Sequence, residues 1–169
     1  MHVSIDEADQ PATAASGAVR QVPVPAAMRR LGTLPRIDYE DGFVVDLGSA
    51  GERTPEQWAR ATLEDAPAAR RSSLLLGWSA LGLRLGPTAG DGHVLGWEIR
   101  RNTADHVLLG LRSRLGMPAE LLFARRRRTL FFATFVQHDN AAVSAVWAKV
   151  IPVHVRVVPQ LLAAAGRRG

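Results

Sequence analysis

The chain has 169 residues, 47% of them hydrophobic, with a formal charge of +5 and no cysteine; its isoelectric point lies near 11.1. That length suits one domain with a core of its own and is short for two, and the lack of thiols excludes disulfides, thiolate zinc sites, iron–sulfur clusters and cysteine nucleophiles. No uninterrupted apolar run approaches the roughly 18 residues of a membrane span; the longest, Val150 to Val158, is broken by Pro152, His154 and Arg156. Asp6, Glu7 and Asp9 stand where a secretory leader would be basic, and no apolar h-region follows. The expectation is a soluble, cytoplasmic domain without a transmembrane segment. The basic balance invites contact with phosphates, yet nearly all of it is arginine, with Lys149 the only lysine. Arginine bias alongside abundant Ala and Gly is what a GC-rich coding sequence produces. Only Arg125 to Arg128 form a run, which between two apolar strands reads as a solvated hairpin turn. A nucleic-acid partner is not expected.

In chain order, residues 1–35 are rich in Ala, Pro, Ser and Gly, include Val22-Pro23-Val24-Pro25 and lack periodicity, which predicts a flexible or extended tail. The domain is expected over 36–169. Tyr39, Phe43 and Val45 fall at even spacing and predict a first strand, with Gly42 allowing a bend. Thr54-Pro55-Glu56-Gln57 is a capping box with proline in the first turn, so a helix should run to about Asp65 and stop before Pro67. A second helix is predicted from Ala69 to Leu81 on the spacing of Leu74, Trp78 and Leu81, with Gly82 ending it. After a loop at Gly86 to Gly92 the period becomes two. Leu95, Trp97 and Ile99, then Val107, Leu109 and Leu111, then Glu120 to Arg125, then Leu130, Phe132, Thr134 and Val136 predict an antiparallel meander with turns near 102–105, 114–117 and 126–129. From Asn140 the helical period returns, with Trp147, Val150, Ile151, His154, Val158 and Leu161 on one face. Pro152 and Pro159 predict that this terminal helix is kinked or divided.

The order strand, two helices, meander, long helix resembles the helix-grip architecture of the START and Bet v 1 (SRPBCC) superfamily, an α+β fold. Segments 38–43, 54–59, 81–87 and 93–97, with Trp147, Pro152-Val153-His154, Val158-Pro159 and Leu162 of the terminal helix, resemble the bacterial domain-of-unknown-function family numbered twenty-eight sixty-seven. Its members occur alone or behind a nucleotide-binding reductase domain. The resemblance implies a curved sheet wrapping the last helix around an apolar cavity. Five strands are clear where the architecture usually has seven, and Leu81 to Leu85 is a candidate for another.

Candidate sites are few. Gly77-Trp78-Ser79-Ala80-Leu81-Gly82 misses a nucleophile elbow because Leu81 stands where the second glycine belongs, and the segment reads as helix. Gly90-Asp91-Gly92 is followed by neither a phosphate-loop lysine nor a dinucleotide fingerprint, so no cofactor is expected. His138-Asp139 lacks companion ligands, and His93, His106, His138 and His154 never fall three or four apart, so no metal site is expected. His154 shares the terminal helix's apolar face, where burial obliges its ring nitrogens to find partners. It reads either as a polar group in a ligand cavity or as a hydrogen-bonded core histidine. Trp58, Trp78, Trp97 and Trp147 read either as cavity lining or as ordinary core.

The leading expectation is a noncatalytic module binding a hydrophobic or amphipathic small molecule, with Trp97, Phe132, Thr134, Trp147 and His154 as pocket candidates. The alternatives are a cyclase- or dehydratase-like lyase on a polyketide-like carbonyl substrate, with His154 as acid or base and Thr134 or Glu98 positioning it, and an interaction partner. That partner would be a reductase domain, or an anionic surface met by Arg125 to Arg128 together with Arg100, Arg101, Arg112 and Arg114. No catalytic motif is recognised, and the oligomeric state is not legible.

Overall fold

A computed structural model describes residues 17–49 and 51–169. The period-two segments pair as one antiparallel sheet: β1 (Val19–Val22), β2 (Tyr39–Asp46), β3 (His93–Val94), β4 (Trp97–Asn102), β5 (His106–Leu111), β6 (Ala119–Arg126) and β7 (Thr129–Val136), in the spatial order β1-β2-β7-β6-β5-β4-β3. The helices are α1 (Ala26–Arg29), α2 (Pro55–Leu63), α3 (Ala68–Ala80) and α4 (Ala141–Arg167). The fold is α+β, an open seven-stranded antiparallel sheet with a long C-terminal helix, and is compatible with a helix grip.

Local chemistry sets the helix boundaries. Thr54 accepts from the Gln57 amide while the Gln57 side chain accepts from the Thr54 amide, so the expected capping box starts α2. Gly82 follows α3 with φ +77°, a conformation that side chains with a Cβ rarely adopt. Asn140 caps α4 by accepting from the Val143 amide. Pro152 and Pro159 lie inside α4, and the helix continues unbroken through both, contrary to the expected division. Its 27 residues span about 40 Å. The membrane-span expectation also needs amending: by length and composition α4 is long and apolar enough to cross a bilayer. Here α4 packs against α2, β1 and β2.

Two clusters divide the core by sheet face. On the inner face Phe43, Val45, Phe123, Phe132 and Val136 pack with Trp58 of α2 and Trp147 and Leu162 of α4. The outer face carries Leu108, Leu122, Phe131 and Phe135, covered by Val24 and Met28. This corrects the expected tail. Residues 17–35 are part of the domain: Val19 pairs with Val45 and Val22 with Gly42, and the segment crosses to the outer face because strands apolar at both parities need a cover on each side. The part of that tail over residues 1–16 lies outside the described residues. A polar clasp holds the crossing strap. Glu120, fully buried, accepts from Arg100 Nη1 at 2.9 Å and from the Thr33 amide at 2.9 Å, and the Thr33 hydroxyl also donates to it.

Two further expectations change. Leu95 does not begin a strand with Trp97: Leu95 (φ +45°) and Gly96 (φ +88°) form a two-residue turn between paired Val94 and Trp97, the mirror-image geometry that tight hairpins favour. Leu81 to Leu85 contributes only a single bridge, Leu83 to Ser113, so the strands beyond five are β1 and β3.

Candidate functional site

No residue of α4 between 148 and 160 is buried, nor is any residue of α3; on their inner side a cavity of about 270 Å³ lies between these helices and the sheet. Trp97 of β4, Ala119 and Leu121 of β6, and Phe132 and Thr134 of β7 form its floor; Leu74 and Trp78 of α3 and Trp147, Val150, His154 and Val158 of α4 close over it. All five expected pocket residues, Trp97, Phe132, Thr134, Trp147 and His154, line it. Trp78 meets Trp97 edge to face at 5.4 Å between centroids. Trp58 does not take part: it is buried under α2 with the Arg53 guanidinium 5.0 Å from its ring centroid. Val153 lines the cavity and is half exposed, so the cavity reaches the surface beside α4.

The α3 cover is held by its ends. Near its start Arg71 donates to the Glu64 and Ala66 carbonyls, and Arg70 reaches Gln160 Oε1 of α4 at 3.3 Å. Past its end, Leu115 packs over Gly82, where a Cβ would stand 2.5 Å from Leu115 Cγ.

One wall of the cavity is polar. Asp41 pairs with Thr134 across β2 and β7, at an inward position between Tyr39 and Phe43, and its side chain is 2% exposed. Asp41 Oδ2 accepts from the Tyr39 hydroxyl at 2.8 Å and lies 2.8 Å from His154 Nε2; Thr134 Oγ1 lies 3.2 Å from the same nitrogen. Placing the ring hydrogen on Nε2 lets it donate to Asp41 Oδ2, while Oδ1 stays buried without a partner, and it leaves Nδ1 with no partner among the described residues. Trp147 stacks at a tilt on the imidazole, 5.2 Å between centroids. Burial, with the charge and hydrogen bond of Asp41, pushes the Tyr39 phenol well above its ordinary range, which keeps it a donor. Chemically, the cluster is an imidazole fixed at one nitrogen by a buried carboxyl group, an arrangement able to donate to or accept from a ligand at the cavity wall.

Sequence reasoning missed Asp41 and its partner Tyr39. The signal was present, since Asp41 shares the parity of Tyr39, Phe43 and Val45, and a carboxylic acid at a core-facing position must find a partner.

The other candidates lie apart from the cavity wall. Glu98 is exposed, on the opposite face from Trp97, in a shallow depression with Arg84, His93 and Arg112; this removes it as a substrate-positioning group. Ser79 is exposed within α3, and Asp91 lies in an exposed loop. The His138 amide donates to Asp38 Oδ2 and Asp139 accepts from Gln137. Among the described residues no three His, Asp or Glu side chains are placed to hold a metal ion. The arginines gather only in part: Arg101 and Arg126 both lie close enough to His106 to act on its charge, and the rest are dispersed or engaged. Arg125 donates to the Arg53 carbonyl, Arg100 is bound to Glu120, and Arg112 and Arg114 follow the end of β5 remote from the 126–129 hairpin tip. Comparison with family models, curated proteins and solved structures gives no match.

Proposed function

We propose that the chain binds a hydrophobic or amphipathic small molecule between the sheet and α4, as a noncatalytic helix-grip module. The observation that carries this reading is the cavity itself: a volume of about 270 Å³, just under the ~300–1,000 Å³ of small-molecule sites. Its wall is apolar except at Thr134 and His154, at Thr62, whose hydroxyl is bonded to the Trp58 carbonyl, and at Arg70 and Ser73. Such a wall favours a ligand with a compact apolar body and one polar end, the body against Trp97, Leu121 and Phe132 and the polar end at His154. The strand order and the terminal helix support the helix-grip part of the proposal.

Native mass spectrometry of the purified chain tests it by seeking a copurifying small molecule. Titration with anilinonaphthalene sulfonate, read by quenching of the cavity tryptophans, supplies a second measurement. Saturable binding that Leu121→Trp abolishes supports the reading; binding indifferent to that substitution overturns it.

A second reading, a lyase acting on a carbonyl substrate, draws on one observation, the Asp41–His154 pair with Nδ1 free to take a proton. The other polar groups at the imidazole are Thr134, which lines the cavity, and Asp41 and Tyr39, which are bonded to each other and are not among its lining residues, so the lining holds no acid placed to protonate a leaving group. Exchange of an α-hydrogen of a simple ketone into deuterated water, lost in His154→Gln, would favour this reading over simple binding.

A further inference from the structure

The exposed large hydrophobic side chains among the described residues share one region. Leu76 (72% exposed) stands on α3, Val146 (48%) and Val153 (49%) on α4, and Leu115 (55%) on the loop between β5 and β6. That loop belongs to the same region because Leu115 packs over Gly82 at the end of α3, and its carbonyl accepts from Asn140, the cap of α4, at 3.0 Å. Val146, Lys149, Val153 and Arg156 are all exposed and succeed one another at spacings of three and four, which places them on one face of the helix. The mouth of the cavity lies beside that face, at Val153 and Arg70.

The charge of this region is one-sided. The chain has 16 acidic residues, yet none falls in the 13 residues of α3 or the 27 of α4, which carry Arg70, Arg71, Lys149, Arg156 and Arg167. The acids nearest in sequence are Asp65, before α3, and Asp139, before the α4 cap and bonded to Gln137. Asp139 is exposed beside Gly116, at the edge of the region by Leu115, whereas the helix faces themselves interleave exposed aliphatic side chains with cations and no acid, the pattern of a helix lying in the headgroup layer of an anionic bilayer. Protein interfaces favour aromatic residues and arginine and are depleted of lysine; this face shares the arginine but otherwise exposes Leu, Val and Lys.

We infer that the face formed by α3, α4 and Leu115 docks on an anionic lipid surface, bringing the cavity mouth to the bilayer. The inference rests on the cavity reading for its consequence: the ligand is a lipid-soluble amphiphile exchanged with the membrane.

Flotation of the full chain with vesicles tests it, comparing equimolar phosphatidylcholine and phosphatidylglycerol with phosphatidylcholine alone. The chain should float with the anionic vesicles only. Each cation near such a surface is worth about fivefold in affinity, so Lys149→Gln with Arg156→Gln should weaken binding by about 25-fold. Arg126→Gln with Arg127→Gln, at the hairpin tip, should leave it unchanged. No flotation, or equal losses in the two double variants, would overturn the inference, as would sedimentation showing this face buried between two copies of the chain. Saturable probe binding in the cavity without flotation would defeat the inference and leave the cavity reading standing. Flotation without probe binding would support the docking surface and remove the cavity reading.

Discussion

Replacing His154 with phenylalanine separates the two demands made on that residue. The ring volume is nearly kept, so packing against Trp147 survives, but Asp41 loses the nitrogen 2.8 Å away and retains only the Tyr39 hydroxyl. With Oδ1 already lacking a partner, the carboxyl group is left almost stranded at 2% exposure. A neutral orphaned group costs about 1–3 kcal/mol and a broken buried ion pair about 3–5 kcal/mol, which places the loss near 3 kcal/mol. For a chain of this size that lowers Tm by about 6–12 °C. Urea denaturation supplies the free energy, and His154→Phe in an Asp41→Asn background completes the cycle. The asparagine can still accept from Tyr39 and carries no charge, so the double variant should be less destabilised than the sum of the single changes. A single-variant loss below about 1 kcal/mol, or strict additivity, would refute the view that Asp41 and His154 form one buried unit.

Ala119→Leu pushes two methylene-sized groups and a methyl into the floor of the cavity and should abolish saturable probe binding at a stability change of no more than about 1–3 kcal/mol. Glu120→Ala strands Arg100 and the Thr33 amide and should cost about 3–5 kcal/mol, with limited proteolysis opening the strap near residues 30–36. Burial, aided by Arg101, holds the His106 imidazole below its ordinary value of 6.5. Just below pH 6.5 the unfolded chain therefore binds more protons at this site than the folded chain, so the stability it contributes is present above that pH and is lost as pH falls toward the depressed folded value. His106→Asn should flatten that part of the stability profile measured by denaturation at successive pH values, and an unchanged profile would contradict the assignment.

The parts of the fold that were legible are those written in local chemistry. Thr54 and Gln57 announce α2, Gly82 closes α3, and the alternation through Phe132 and Thr134 lays out the meander. The parts that were not legible depend on what sits across the sheet. Nothing local in Ala18-Val19-Arg20-Gln21-Val22 marks a strand; its partner Val44-Val45 and the apolar outer face of Leu108, Leu122 and Phe135 make it one. The continuous apolar runs of β6 and β7 did carry that information, because a sheet with one wet face would alternate. Of the site, the apolar lining was readable from periodicity, and His154 from its place on the apolar face of α4. Asp41 was hidden because the adjacent Gly42 invited a bend at the very point where strict alternation would have exposed a buried acid.

Pro152 and Pro159 lie seven residues apart, hence one above the other on α4, and their face is the outward one, with Pro152 exposed. Each removes the amide that would have bonded to a carbonyl four residues earlier, Ala148 and Val155, and each presses its ring against the preceding turn. Two such defects on one face add in one direction and favour bending with the convex side to solvent. The two missing amide bonds therefore make the stretch of α4 over the cavity its most compliant part, between the buried anchors Trp147 and Leu162, so the depth of the chamber is the dimension that a bulkier content would change first.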